Sequence, residues 1–409
     1  GADKVIGRKQ YLGGTQDNGS YLSPKDSIAK ATTPHARVWS GDGFEVITHW
    51  ENKDSMMTGS QYNGFSRMTN GLWFSSIGQN TRGNTIAPFI TRLSTSYQDP
   101  DVVYAVHKDS GVWRSKDFGG DRFKLIEILN PSPNKYYSRS DVEVSIANPR
   151  FVWAGGAITS DYNLFLSKDW GKTFNPITKP AGVSSSISGI YSHPTEDSTV
   201  YILFSRPKKS KVLESKDLGA TWTDITGFPA NFTEGTSTAG FPDVETHSLV
   251  VMPHDPDVIW VGTNIGIVET TDRGASWNII PYATSNFPHV TVWDMKIKDQ
   301  GEIVLATHGR GIWTATIPDL INSEPKENSI TITTNGSQSI DIEEKGGVAT
   351  ITATATRDVN PLFPVVVSLS AGGTASASDY TLSSTSITIS SGTTGTATVT
   401  AVQDSDNEN

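Results

Sequence analysis

The sequence predicts an all-β chain, with seven β-sheets arranged as propeller blades over residues 1–317 and a β-sandwich over 329–409. Three observations carry this reading. A short pattern recurs four times at a spacing of about fifty residues, strand–turn–strand units of alternating apolar residues recur seven times, and the composition changes after Ile317. Periods near 50 residues mark propellers and related arrays, in which each unit buries its apolar faces only against its neighbours.

The recurring pattern is Ser/Thr-x-Asp-x-Gly-x-Thr/Ser-aromatic. Ser167–Phe174, Ser215–Trp222 and Thr270–Trp277 fit it without a gap; Ser115–Phe123 is a degenerate copy, with Asp121 in the second hydroxyl position and its aromatic one residue late. The aspartates Asp117, Asp169, Asp217 and Asp272 stand 52, 48 and 55 residues apart, room for one small antiparallel sheet and its connections. In a tight hairpin each residue type has a task. The carboxylate accepts backbone amides that the turn leaves unpaired, the hydroxyls close the network, and the glycine adopts a positive φ without steric cost. The aromatic re-enters the next strand and fills the space between sheets, so Trp222 and Trp277 are expected to be largely buried. In spacing and residue types the pattern resembles the Asp-box of BNR-repeat propellers. That resemblance implies structural aspartates on outer hairpins, away from the channel mouth.

The seven units begin at Tyr11, Met57, Val103, Val152, Val200, Ile259 and Val304. Their alternating apolar positions and Gly/Asn/Asp turns read as hairpins. Upstream of six of them lie apolar stretches expected to form the innermost strands: Phe44–Thr48, Phe89–Leu93, Val142–Ile146, Ile187–Tyr191, Leu249–Met252 and Val290–Ile297. The first unit has no room for such a strand, and the last ends without the repeated turn. A closed ring needs complete blades, so further sequence of the same polypeptide is expected upstream.

Composition narrows the function. Zero cysteines exclude a disulfide framework, thiolate-held zinc and thiol catalysis. A net charge of −10 without a basic cluster argues against nucleic acid and anionic membranes. The one basic run, Lys208-Lys209-Ser-Lys211, reads as a solvated hairpin tip. No run approaches the ~18 apolar residues of a membrane-spanning helix. Sparse charge with abundant glycine and tryptophan suits a secreted or cell-surface β-protein.

Pro318–Asn328 is polar, has two prolines and lacks periodicity, and reads as a linker. Beyond it, Thr/Ser/Val-rich period-two segments at Ile330–Thr333, Ser339–Ile342, Val348–Ala355, Phe363–Leu369, Ser386–Ile389 and Thr396–Val402 predict a sandwich. Glu343-Glu-Lys-Gly-Gly347, the Gly373-Thr-Ala…Asp379-Tyr380 stretch and the acidic ending Asp404-Ser-Asp406-Asn-Glu408 resemble the Calx-beta domain, and the resemblance covers nearly all of Ser329–Asn409. If the first turn and the last strand end meet, Glu343, Glu344, Asp379, Asp404, Asp406 and Glu408 converge. They then either hold Ca²⁺, which takes six to eight oxygens, or form a solvated acidic end. The acidic ending is expected to continue in a downstream segment.

Leu12-Gly-Gly-Thr-Gln-Asp-Asn-Gly-Ser20, Gly41-Asp-Gly-Phe44 and Thr58-Gly-Ser-Gln-Tyr-Asn-Gly-Phe-Ser66 resemble sortilin-type Asp-box proteins, secreted by Bacteroidetes-like bacteria. These in turn are similar to tandem-propeller xyloglucanases, whose two propellers face each other across a glycan cleft. The resemblance matches Asp42 to a catalytic acid, although Gly-Asp-Gly also makes a strong turn. Loops entering the inner strands line a channel mouth, and Asp17, Asp141, Glu143, Asp243, Glu245, His247, Asp294, His308 and Arg310 are the candidate ligand-binding residues there. A sialidase would need an arginine triad; Arg92, Arg206 and Arg310 are scattered. Protease and esterase signatures are absent. Two functions are left. The first is a non-catalytic module that recognises a glycan or an extracellular protein. The second is half of a glycoside hydrolase, whose second carboxyl would come from an upstream propeller.

Overall fold

The computed structural model describes residues 10–24, 30, 32–52, 54–96, 98–107, 111–120, 122–127, 141–297, 302–317, 329–337, 341–343, 346–359, 365–370, 378–389 and 392–403. The chain divides into two compact units, Gly1–Glu324 and Pro325–Asn409. The expected linker, 318–328, lies outside the described residues.

In the first unit the described residues form seven antiparallel meanders of three or four strands in chain order, with one small two-stranded sheet, Ala157–Ile158 paired with Ser185–Ser186, beside the fourth. Their middle strands are apolar on both faces because a neighbouring sheet covers each face: Val103–Val106 and Val200–Leu203 are buried throughout. Apolar clusters fill the gaps between sheets. Met57, Phe65, Val103 and Phe123 pack between the second and third sheets; Trp153, Leu166, Ile190 and Ile202 between the fourth and fifth; Tyr201, Val251, Val261 and Trp277 between the fifth and sixth. The first sheet closes on the last, where Tyr11 packs on Val304 and its hydroxyl donates to Glu302 Oε1 at 2.9 Å. Sheets stacked face to face in a closed circuit form a β-propeller.

The first strands of the second to seventh sheets, Val46–Thr48, Leu93–Ser94, Asp141–Val144, Gly189–Ser192, Thr246–Met252 and Val292–Ile297, lie each against the next. These are the inner strands. The described residues thus contain six inner strands and seven second strands, the same numbers the sequence yields. The expected strand Phe89–Leu93 differs: only Leu93–Ser94 pairs. The residues before it are drawn into turns, with the Phe89 carbonyl accepting Tyr62 N–H and the Thr91 hydroxyl donating to the Ser60 carbonyl.

The four repeated turns join third to fourth strands; three share one full hydrogen-bond plan, and the Ser115 copy keeps the Gly119 N–H to Ser115 Oγ bond at 2.9 Å. In the Ser167 copy, Ser167 Oγ donates to Asp169 Oδ1 (2.8 Å) and accepts Gly171 N–H (2.8 Å), while Asp169 accepts the Thr173 amide (2.9 Å) and hydroxyl (2.7 Å). The Ser215 and Thr270 copies repeat these bonds. With Thr221 donating from hydroxyl and amide, the Asp217 carboxyl is held down to about 2. The residue before each glycine is also left-handed: Phe118, Trp170, Leu218 and Arg273 have φ of 41–57°. Their amides all donate back within the same sheet, to the turn between first and second strands at Asp101, Arg150 and Ser198 and to the start of the second strand at Asp257. Each turn is therefore a clip that closes its own sheet. In the degenerate copy, Arg67 Nη1 donates to the Asp117 carbonyl at 2.8 Å.

Trp277 is 3% exposed, as expected, but Trp222 is only partly buried. Its ring lies on the rim of the fourth–fifth cluster, with Nε1 donating to the Thr178 carbonyl at 3.2 Å.

In the second unit, Ile330–Thr334, Val348–Val359, Gly392–Ala401 and Tyr380–Leu382 form one sheet, and Val365–Ser368 with Ser386–Ile389 a second. Ala353, Ala355, Ile387, Ile389 and Ala397 pack between them. The expected strand Ser339–Ile342 is not formed by its described part, Asp341 and Ile342; residues 339 and 340 lie outside the described residues.

Candidate functional site

Strands in a meander alternate direction, so turns between second and third strands share one end of the axis with the entries to inner strands. The repeated turns lie at the other end. The entry end is the candidate mouth, and it gathers residues from the sixth and seventh sheets.

Two β-bulges build this part of the mouth. In the seventh sheet the register shifts between Val292 and Asp294, and in the sixth between Thr246 and Ser248. The residues skipped by the ladders are Trp293 and His247. A bulge re-aims the side chain it carries, and these two meet with ring centroids 4.3 Å apart. Trp293 keeps 44% of its surface exposed. On another side its Nε1 donates to His308 Nδ1 at 3.3 Å, from the turn after the seventh sheet's second strand. Glu245 Oε2 lies 3.9 Å from His247 Nε2, and Tyr191 Oη donates to the His247 carbonyl at 2.9 Å. His247, Glu245 and His308, each a candidate from sequence, therefore meet at one place. Arg310 is exposed in the same turn as His308 and offers its carbonyl to Trp313 Nε1 at 3.0 Å.

Below the mouth, charged side chains from different sheets converge near the axis. Lys296 Nζ lies 3.6 Å from Glu45 Oε1 and 3.7 Å from Asp294 Oδ1, and Arg92 Nη1 lies 3.2 Å from Glu45 Oε2. Glu143 Oε1 accepts the Ser192 amide (3.1 Å) and hydroxyl (2.8 Å), and Asp141 Oδ2 accepts Ile190 N–H at 3.1 Å. Burial pushes the Glu143 carboxyl up to about 7, against the opposing pull of Lys296 and the Ser192 bonds. For Lys296 burial works the other way, but Asp294, Glu45 and Glu143 outweigh it and hold the ammonium well above its ordinary range. Asp141, Glu143 and Asp294 thus serve an electrostatic clamp that links inner strands.

Arg92, Glu45, Lys296, Tyr191 and Trp293 were not singled out for this site by sequence. A signal existed for two of them: Glu45 and Arg92 each immediately precede the first residue of an inner strand, Val46 and Leu93.

Asp42 is engaged in the frame of the fold. Its Oδ1 accepts the amide of Asp17 at 2.8 Å, and its own amide donates to Gln61 Oε1 at 2.9 Å. Asp17 is left-handed, with φ of 65°, so the carboxylate caps a strained turn. A Cβ on Gly43 would meet Thr15 N at 2.6 Å, so the second glycine of Gly41-Asp-Gly43 permits close passage of two backbones. Asp243 binds the Lys208 amide (2.8 Å) and Lys211 Nζ (2.6 Å). Lys211 is 1% exposed, so the basic run is not wholly a solvated tip: one of its lysines is buried, neutralised by Asp243 and set 5.5 Å from the Phe228 ring centroid.

Of the six acidic candidates in the second unit, Glu343 and Asp379 are described; Glu344, Asp404, Asp406 and Glu408 lie outside the described residues. Backbone bonds bring the relevant segments to one end. Gly347 N–H donates to the Glu343 carbonyl, Ala401 N–H to Gly347 and Val402 N–H to Asp379. Among the described residues no group of three or more His, Cys, Asp or Glu is placed to hold a metal, and no helix is long and apolar enough to cross a membrane.

No model of a known protein family matches the chain. Over 282 residues it is 21% identical to a probable oligoxyloglucan-reducing end-specific xyloglucanase of Neosartorya fischeri. The matched stretch is 58% of this chain and 33% of that protein, so the chain spans about a third of the length of this curated relative. Among solved structures it is similar to the GH74 xyloglucanase from Xanthomonas campestris, at 12% identity over 76% of this chain and 54% of that one, with a TM-score of 0.41. It is also similar to the WD40 β-propeller domain of Doa1, at 11% identity over 75% of this chain and 88% of that one, with a TM-score of 0.47.

Proposed function

We propose that the chain is a seven-bladed propeller of a secreted or cell-surface protein that recognises a glycan at its mouth without cleaving it. The observation that carries this reading is Trp293, an exposed indole placed by a bulge at the mouth, with His247, His308 and Glu245 around it. Sugar rings offer an apolar C–H face to an aromatic plane and hydroxyls to nearby imidazole and carboxylate groups, the mix found in ligand pockets. The name of the Neosartorya relative makes xyloglucan oligosaccharides the first probe.

The alternative, half of a tandem-propeller glycoside hydrolase, draws on Glu143, whose carboxyl near 7 suits an acid at neutral pH. Against it, Asp42 is committed to the Asp17 turn, and hydrolysis needs two carboxyls flanking one bond. The test combines calorimetry with reducing-end release. Expected are binding without turnover and a loss of affinity of roughly 30-fold in Trp293→Ala, about 2 kcal/mol for a stacked aromatic anchor. Turnover abolished by Asp42→Asn would replace this reading with the hydrolase.

For the second unit we propose a Calx-beta-type sandwich that takes Ca²⁺ through Glu343, Asp379 and the acidic residues after Val402. The support is the shared end defined by the Gly347, Ala401 and Val402 bonds. Calcium is expected to raise the melting temperature of this unit in the full chain, by about 2.7 kcal/mol of stability at one hundred times the dissociation constant. No shift at millimolar calcium would reject the site.

A further inference from the structure

We infer that the mouth is gated by protons through His308, whose bare Nδ1 holds the Trp293 indole in the neutral state and releases it when protonated. This deepens the reading of Trp293 as the binding platform; the binding consequence rests on that reading, while the indole response does not.

The geometry fixes the chemistry. An indole N–H can only donate, so the contact of 3.3 Å between Trp293 Nε1 and His308 Nδ1 requires a lone pair on Nδ1. Neutral imidazole supplies it when the proton sits on Nε2. In imidazolium both ring nitrogens carry protons, so two N–H groups would face each other and the bond is lost. Trp293 is then held by its contact with His247 at 4.3 Å and by its strand. The bulge removes the regular ladder pairing that would otherwise fix its direction. An exposed indole on a bulge, held by one titratable acceptor, is a platform whose orientation follows pH. Histidine is the side chain whose charge changes between pH 5 and 8.

The charged and titratable groups around the pair come from the His308 turn and from the seventh, sixth and fifth sheets. Arg310 shares the His308 turn, Asp294 and Lys296 follow Trp293 on its strand, and Glu245 and His247 belong to the sixth sheet, where Tyr191 reaches the His247 carbonyl. Among the described residues, it is His308 that accepts the indole N–H.

The experiment follows the Trp293 indole ¹H–¹⁵N resonance between pH 8 and pH 5, assigned by Trp293→Phe, in the wild-type chain and in His308→Gln. Glutamine keeps an acceptor that does not titrate. The resonance is expected to move in the wild type and to stay fixed in His308→Gln. Equal movement in both, or movement in neither, would overturn the gate. In parallel, the affinity for xyloglucan oligosaccharide is expected to fall roughly threefold to tenfold from pH 8 to pH 5, the worth of one hydrogen bond, and to fall less in His308→Gln. Absence of oligosaccharide binding at every pH would remove the glycan reading while the indole titration still decides the gate.

Discussion

Trp277→Ala is expected to destabilise the propeller by about 3–5 kcal/mol, the range for deleting a large buried aromatic. The ring is 3% exposed between the fifth and sixth sheets. It meets Phe241 edge-on at 5.0 Å, and its Nε1 donates to the Ile225 carbonyl at 2.8 Å. Truncation therefore leaves both a cavity and an unpaired carbonyl. The backbone around it is fixed, because Trp277 N–H donates to Ala239 and the preceding turn is clipped by Asp272, so collapse into the space is restricted. The rim residue gives the control: Trp222→Ala is expected to cost at most about 2 kcal/mol, within the range of ordinary substitutions. Denaturant titration of both variants decides this. Equal losses would mean that the two rings are equivalent and that the fifth–sixth interface is not packed around Trp277.

Arg273→Ala is expected to cost about 3 kcal/mol, through a different mechanism. Arg273 sits in the fourth repeated turn and bridges two carboxylates of the fifth sheet's region. Its Nη2 lies 3.0 Å from Glu196 Oε2 and 3.2 Å from Glu214 Oε1, with Nη1 and Nε completing the fork. The Glu214 side chain is only 5% exposed, and its second oxygen has Lys216 at 3.5 Å. Removing the guanidinium leaves a buried carboxylate with a single exposed cation, and breaking a buried pair from one side is strongly destabilising. The diagnostic is rescue: Arg273→Ala combined with Glu214→Gln should recover part of the loss, since glutamine carries no charge to leave stranded. No recovery would refute the electrostatic cause. The sign of the pH dependence follows from Glu196, which Arg273 holds down to about 2. A depressed carboxyl contributes stability above its unfolded value near 4.5, and loses it as pH falls toward 2. The wild type should therefore lose more stability than Arg273→Ala across that window.

The repeated turns were legible because everything they need lies within eight residues. Hydroxyl, carboxylate and glycine meet locally, and the same bonds recur whatever the neighbouring sheet offers. Burial of the closing aromatic was only half legible. Trp277 finds Phe241 and the Ile225 carbonyl beside it, while Trp222 finds a rim, and that difference belongs to the adjacent sheet. Asp42 illustrates another limit: its residue type and glycine neighbours suit both a catalytic acid and a turn cap. The deciding partner, the Asp17 amide, is 25 residues away. Lys211 read as solvent-exposed because its counterion, Asp243, comes from a later connection. Trp293 was invisible for a reason of register. Strict alternation would turn position 293 to the same face as Met295, and only the bulge re-aims it toward the mouth.

The proposed function places a glycan on Trp293. The most direct measurement is a titration of the ¹⁵N-labelled chain with xyloglucan oligosaccharide, observed at the tryptophan indoles. A saturable shift of the Trp293 resonance is expected, with the buried indole of Trp277 unmoved. A shift confined to other tryptophans, or none at saturating oligosaccharide, would contradict it.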